Sequence, residues 1–521
     1  MAAGARATDE QPDHQVAIIG TGFAGLGMAI RLRQAGCDDF VVLEKAGEVG
    51  GTWRDNTYPG CACDVPSHMY SFSFDLNPSW SRMYGRQEEI WDYLRRCTDK
   101  YGVRPHIRFH SEVVSARFDE DACLWRLGTA DGRDLTARVL VAGVGPLHVP
   151  AYPDVPGLAR FQGVTFHSSQ WNHDYDLTGK RVAVIGTGAS AIQFVPQIAR
   201  QVEQLHLFQR TPPWIMPKPD RRMRSGIKHL FARFPLAQRL LRNTLYWMLE
   251  GQLLAFNGDK RLMKMGEAMS RQHIARQIRD PELRKAVTPK YTMGCKRVLI
   301  SNDYYPSLAR PNVELVTDGI REVREHSVVT ADGAEREVDA IIYGTGFKIG
   351  DFNSTKIFGA GGVELSELWR REGMESYNGV VTAGFPNMFM LVGPNTGLGH
   401  NSIVFMIESQ VHYVLRCLEL MDRHGAQQLA VRPEVQRRFN RAIQSRMKNS
   451  VWQSGCKSWY LDENGVNRTL WPGFTFTYWA RLRRARAADF DLVSRNTQEP
   501  VRRLLPTEPV REWERVPAGA R

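Results

Sequence analysis

The hydrophobic pattern repeats one unit twice along the 521-residue chain: a short β-branched run, a glycine cluster, a run with apolar positions at helical spacing, then a second apolar run ending on a charge. In the first unit VAII (16–19) precedes Gly20, Gly22 and Gly25, and VVLEK closes the unit at Glu44. In the second VAVI (182–185) precedes Gly186, Gly188 and Ala191, and LHLFQRT closes it with Arg210 and Thr211. This order reads as strand, tight turn, helix and strand. Between the units the pattern predicts a helix near 88–101, strands near 111–118 and 125–128, and a buried strand at 139–143. Pro146, Pro150, Pro153 and Pro156 then punctuate the chain, as at a crossing between domains. A third strand-plus-glycine run, 339–347, is expected to lead back to the first domain, and GPNTGLGHNS (393–402) to open an amphipathic helix over 403–421.

The fold class that follows is α/β, with two Rossmann-like dinucleotide-binding domains and a helical insertion in the second. The first domain is expected over 14–148 and again over 348–480, the second over 149–347 with its insertion at 218–285. A basic tail, expected to be disordered in part, covers 481–521.

In both units 24 residues separate the first glycine from the closing charge, but the sign of that charge differs. The glycine turn and helix N-terminus present backbone N–H groups to a pyrophosphate. The backbone at Gly20, Gly22, Ala24 and Gly25 is expected to do so at the first site. Gly186, Thr187, Gly188, Ala189, Ser190 and Ala191 are expected to do so at the second. The charge at the tip of the next strand reads the ribose. A carboxylate such as Glu44 accepts from free hydroxyls and repels a 2′-phosphate, whereas a guanidinium such as Arg210 suits that phosphate. Two different dinucleotides are therefore expected, FAD at the first site and NADPH (NADP when oxidised) at the second.

The formal net charge is +12, and the stretch 218–285 holds 16 Lys and Arg against 6 Asp and Glu. A solvated basic insertion whose field draws in the anionic cofactor is the expectation, with weak peripheral contact at an anionic membrane surface as the sharper alternative. Nucleic acid is not expected, because no recognition motif accompanies the charge. No apolar stretch reaches the length of a membrane span, and the N-terminal residues lack the apolar core of a signal peptide. The eight cysteines (37, 61, 63, 97, 123, 295, 417 and 456) are scattered and read as reduced, so a cytoplasmic location is expected. Cys61 and Cys63 have no second pair at metal-like spacing, so no metal is expected.

Four further segments carry candidate chemistry. Gly50-Gly51-Thr52-Trp53, Tyr58-Pro59-Gly60 and Asp64 follow the first ribose reader. Phe161, Gly163, His167 and Trp171 precede the second fingerprint, Lys296 and Arg297 lie in GCKR, and Trp459 in SWYLDENG. With these motifs in order the chain resembles the class B flavoprotein monooxygenases, and within them the type I Baeyer–Villiger monooxygenases, over nearly its whole length. The GGxW…YPG…D pattern matches in full. The F-x-G-x3-H-x3-W pattern matches from Phe161 to Trp171, but Asn172 stands where the family has Pro or Asp.

The resemblance implies NADPH reduction of FAD, reaction with O2 to a C4a-peroxyflavin, and attack on a ketone to give an ester or lactone. It implies that Arg297, oriented by Asp64, stabilises the anions formed, and that His167 in the interdomain connection links NADPH-domain movement to the flavin. Flavin contacts are implied for Thr52, Trp53, Arg54, Asp55, Asp64, Tyr70 and Val113. Lys296 is expected to join Arg210 and Thr211 at the 2′-phosphate, and Trp459 to cover the nicotinamide ribose. GPNTGLGHNS resembles a subgroup set apart from the cyclic-ketone enzymes, so the ketone stays open. Of the rival functions, N- or S-oxygenation needs a neutral hydroperoxide, which a nearby cation disfavours. A pyridine nucleotide–disulfide reductase needs a C-x4-C pair beside the flavin, where this chain has Gly-Gly-Thr-Trp.

Overall fold

A computed structural model describes residues 10–349, 355–456, 458–494 and 502–506. Two sheets organise the chain. The larger runs in the order Lys356–Phe358, Val113–Asp119, Leu124–Thr129, Asp134–Ala142, His14–Ile19, Phe40–Leu43, Ile107–Arg108, with Met388–Met390 also pairing to Asp134–Ala142. Its centre is parallel: Val16 stands between Phe40 and Val139, and Ile19 between Leu43 and Ala142. The smaller sheet is parallel throughout, in the order Val313–Val316, Gln204–Phe208, Arg181–Ile185, Ala340–Tyr343, Val164–His167. Central strands of this kind are covered on both faces, which is why VAII and VAVI are continuously apolar. Val16, Ala17, Ile18, Val182, Ala183 and Val184 are fully buried. The run 339–347, expected to lead back to the first domain, forms Ala340–Tyr343 in the second sheet, and the chain re-enters the first sheet at Lys356–Phe358.

The helix expected to be amphipathic runs Ile403–Arg423 and is buried on nearly every side over its first three turns. The reason is its position: it packs against both the Phe23–Gln34 helix and the Thr475–Leu482 helix, so a polar residue on it meets protein instead of water. Its polar side chains are internally partnered. The Gln410 side-chain amide donates to the Tyr478 hydroxyl at 3.0 Å, and Glu408 accepts from the Ser73 amide and hydroxyl at 2.8 and 2.9 Å. Arg242, arriving from the Pro235–Gly251 helix, lies 4.0 Å from Glu408 with both side chains almost wholly enclosed. Removing one member of such a pair leaves an uncompensated charge. Glu408→Ala is expected to cost about 3–5 kcal/mol, read as a lower chemical-denaturation midpoint, and Glu408→Gln less, because it keeps an acceptor for Ser73.

The insertion consists of the helices Ser225–Arg233, Pro235–Gly251, Leu253–Phe256, Lys260–Gln277 and Pro281–Val287. Among the described residues no helix is long and apolar enough to cross a membrane. Within the segment 481–521, expected as a tail, Phe490–Val493 pairs antiparallel with Gln428–Val431, and Leu504 and Leu505 are buried. The rest of that segment past 494, apart from 502–506, lies outside the described residues.

Candidate active site

Both fingerprints open at the carboxyl ends of their central strands, and one cavity of about 1170 Å³ runs between them. Of the residues expected to bind a cofactor or take part in the reaction, all line it except Gly25, Ala191 and His167; of the motif residues quoted beside them, Pro59, Gly60, Phe161, Gly163 and Trp171 do not line it either. Gly25 and Ala191 act through packing. A Cβ on Gly25 would lie 1.8 Å from the Gly20 carbonyl oxygen, so the helix can approach its strand only with hydrogen at that position. The second unit takes Ala191 there, packed against Gly344. Gly20 and Gly186 have φ of +92° and +108°, which favours glycine. Gly25→Ala is expected to yield protein with little bound flavin, checked by the ratio of flavin to protein absorbance. Full loading would show that the turn can shift without losing its cradle.

The middle glycines are open toward the cavity. A Cβ on Gly22 would meet only the Gly51 Cα, at 4.0 Å, and one on Gly188 only the Gly344 carbonyl oxygen, at 3.9 Å. Backbone N–H groups at a helix start with free space before them fit a pyrophosphate, so the donor set at both sites suits a dinucleotide. Glu44 is buried and held on all sides: Thr21 N donates to Oε2 at 3.1 Å, Ala46 N to Oε1 at 2.9 Å, and Arg54 lies 2.9 Å from Oε1. Those bonds fix the carboxylate and still leave lone pairs for ribose hydroxyls. Arg54 also pairs with Asp55 at 2.7 Å. Trp53 donates its indole N–H to the Tyr70 hydroxyl at 3.1 Å, the two rings meeting edge to face.

Arg297 and Asp64, 233 residues apart, meet on the cavity wall. Arg297 Nε and Nη2 both donate to Asp64 Oδ2, at 3.0 and 2.6 Å, and about a third of the arginine side chain remains open. The carboxylate holds the guanidinium firmly charged, its pKa raised chiefly by the Asp64 charge. Tyr460 stands beside it, and burial pushes its phenol up to about 12. Sequence reasoning missed Tyr460, although its neighbour Trp459 was singled out. The Trp459 ring lies 4.3 Å from the Tyr460 ring and is half exposed at the cavity mouth. Lys296 Nζ sits over the Tyr291 ring at 5.1 Å. Its pKa is lowered, first by burial and then by the charge of Arg210, so the two cations face a common space.

Gln193 was also missed. It lies on the second fingerprint's helix, and its amide accepts from Ala62 N at 3.1 Å and from the Tyr58 hydroxyl at 3.2 Å, tying that helix to the loop carrying Asp64. The helix comes so close that a Cβ on Gly60 would meet the Gln193 carbonyl oxygen at 2.8 Å, which explains the glycine of YPG. Tyr58 stands out in the sequence only as part of a motif, and nothing in the chain's periodicity names its partner.

His167 does not reach the cavity. It is fully buried, with Nδ1 accepting from Ser169 N at 3.2 Å and its ring against Tyr152 and Phe347, which do line the wall. Burial lowers its pKa. It stands behind the wall, in contact with two residues that line it. Asn172 retains the turn of its motif, its side-chain oxygen accepting from Asp174 N at 3.1 Å as an aspartate would.

The cysteine expectation needs correction: Cys295 and Cys456 form a disulfide, with Cα atoms 6.2 Å apart. At a separation of 161 residues no spacing rule reveals the pair, which joins GCKR to the Trp459 segment only in the folded chain. The other six form no disulfide and are buried. Burial pushes Cys61 up to about 12, which keeps it protonated and unsuited to redox exchange with flavin.

A family model described as flavin-binding monooxygenase-like matches residues 13–353. A Baeyer–Villiger monooxygenase of Pseudomonas aeruginosa is 54% identical over 483 residues, covering 92% of each chain. Among solved structures, cyclohexanone monooxygenase from Rhodococcus sp. Phi1 bound to NADP+ is 29% identical with a TM-score of 0.82, covering 93% of this chain and 100% of that one. The OTEMO complex with FAD and NADP is 28% identical with a TM-score of 0.84 and the same coverage.

Proposed function

The chain belongs to the flavin-binding monooxygenase-like family and is a Baeyer–Villiger monooxygenase dependent on FAD and NADPH, and from that premise we propose which of its residues perform the reaction. The FAD-binding domain comprises 14–148 and 348–480, and the NADPH-binding domain 149–347. FAD, once reduced by NADPH, supplies the activation of O2 from which one oxygen atom passes to a ketone.

The reading rests on one observation: a permanently charged guanidinium, Arg297, is fixed by Asp64 on the wall of the cavity that both fingerprints share. As the carbonyl carbon is attacked, negative charge collects on the carbonyl oxygen. Arg297 can donate to that oxygen, because Asp64 occupies only two of its five N–H bonds. A donor held by an ion pair does not have to reorganise as the charge develops, which is where preorganisation contributes most. Asp64 orients the guanidinium, Tyr460 packs beside it, and Trp53 with Tyr70 builds the apolar wall that excludes water. Gly20, Gly22, Ala24 and Glu44 hold FAD. Gly186 to Ser190 hold the NADPH pyrophosphate, with Ala191 packed behind them, Arg210, Thr211 and Lys296 hold its 2′-phosphate, and Trp459 its ribose.

A cytoplasmic setting is supported by the demand for reduced NADPH. The test is product analysis over a panel of linear, cyclic and aryl ketones with NADPH and O2. Esters or lactones in proportion to NADPH consumed support the reading. Oxygenation confined to sulfides and amines would overturn it.

A further inference from the structure

The Pro235–Gly251 helix of the insertion is held on one face only. Gln238, Arg242, Leu245, Tyr246 and Glu250 are buried against the body of the enzyme, and Glu250 accepts from Asn401 and the Thr475 amide at 2.7 and 2.9 Å. The opposite face is apolar and open: Leu236 is 75% exposed, Leu240 68%, Trp247 51% and Met248 57%. Leu236, Leu240 and Trp247 recur at i, i+4 and i+11, with Thr244 exposed between them, so the large side chains form one stripe and not scattered points. Leu230 and Phe234, at the end of the preceding helix, extend it. Water is a poor solvent for a patch of this kind, and a solvated basic insertion does not account for it.

Along the sequence the stripe carries charge of one sign. From Arg221 to Leu249 the sequence has no Asp or Glu, while Arg221, Arg222, Arg224, Arg233 and Arg239 are all exposed. A stripe of Leu and Trp flanked by arginines without carboxylates is the surface that lies in the plane of an anionic bilayer, with apolar groups at the headgroup boundary and cations on the phosphates. A second copy of the chain fits less well. A two-fold contact sets the same patch against itself and would bring arginine against arginine, with no carboxylate to pair them.

We propose that the outer face of the Pro235–Gly251 helix docks the enzyme on an anionic lipid surface, with Leu236, Leu240 and Trp247 entering the interface. The contact is peripheral and reversible.

The test is flotation of the FAD-loaded enzyme with phosphatidylcholine vesicles, with and without about 30% phosphatidylserine, an anionic content chosen to give a clear surface potential. Wild type is expected to float with the phosphatidylserine vesicles at low salt and to stay in the bottom fraction with pure phosphatidylcholine. The double variant L240E/W247E is expected to lower the bound fraction at least about tenfold while oxidising a water-soluble ketone at the wild-type rate. Failure of wild type to float at low salt overturns the proposal. So does flotation that the double variant leaves intact, since adsorption would then rest on charge alone. Concentration-dependent dimers that the variant abolishes, without any flotation, would assign the face to self-association and equally overturn it.

Discussion

Arg297→Ala is expected to abolish ester formation while FAD stays bound and NADPH is still consumed. The separation follows from where the side chain stands. Arg297 lies on the shared cavity wall, but the flavin cradle is built from the Gly20–Gly25 backbone and Glu44, none of which bonds to it. In the proposed function, losing it removes a group whose contact with substrate strengthens as charge collects on the carbonyl oxygen. Single donors in that role are worth about 10²–10³ in kcat. Here the donor is also a full cation, and its loss leaves Asp64 as an unpaired carboxylate facing the same space, so the decrease is expected at or beyond the upper end. Reduced flavin can still pass electrons to O2, so NADPH consumption should continue with hydrogen peroxide as the product. Arg297→Lys keeps the charge but loses the fork that lets Asp64 hold two N–H bonds while others face the cavity, so little rescue is expected. Asp64→Ala removes the orienting group and not the cation, and should give a milder form of the same defect. The measurement is ester formed per NADPH consumed, with flavin content determined on the same samples. An Arg297→Ala enzyme that converts a good ketone at near the wild-type rate would sink the assignment.

What the sequence disclosed and what it hid divide along a physical line. The two strand–glycine–helix units were legible because each is local: a β-branched run, a positive-φ turn and a helix start occupy neighbouring residues, and their roles are set by backbone geometry. The opposite charges of Glu44 and Arg210 were legible for the same reason, each lying at the tip of the next strand. The Arg297–Asp64 pair was reachable only through family resemblance, because nothing local links residues 233 apart. Gln193, Tyr460 and the Cys295–Cys456 bond stayed hidden because each acquires its partner through packing between distant segments. The Ile403–Arg423 helix misled in the other direction. Its polar residues resemble a solvent face, yet Glu408 Oε1 and the Gln410 amide meet protein groups brought in from positions 73, 392 and 478. His167 carried a recognisable motif, but a motif does not say on which side of a wall a side chain stands.

Arg210→Ala is expected to weaken use of NADPH and to leave use of NADH nearly unchanged. Arg210 is exposed just past the Gln204–Phe208 strand, on the wall of the cavity and beyond the turn that carries Gly186 and Gly188. Only NADPH carries a phosphate on the adenosine ribose, so a residue that reads that phosphate affects one cofactor and spares the other. Lys296 provides internal evidence that this space is electropositive: burial lowers its pKa, and the charge of Arg210 lowers it further. Two cations held near each other without a carboxylate between them repel, and a bound phosphate dianion relieves that repulsion. Removing Arg210 therefore has two opposed effects. It deletes a charge-assisted hydrogen bond, worth about 1.5–3 kcal/mol, and it eases the strain on Lys296, which stays protonated more readily. The first is the larger, because the lost bond is made directly to the phosphate, whereas the change at Lys296 acts only through its neighbour. The expected outcome is a rise in the NADPH KM with a kcat/KM loss of roughly tenfold to a hundredfold, by the same energy scale. Replacing both residues should cost less than the sum of the single losses, since the two act on one phosphate. Steady-state kinetics with each cofactor, on enzyme of equal flavin content, make the comparison. Equal losses with NADPH and NADH would show that Arg210 supports the fold of the second domain and does not read the phosphate.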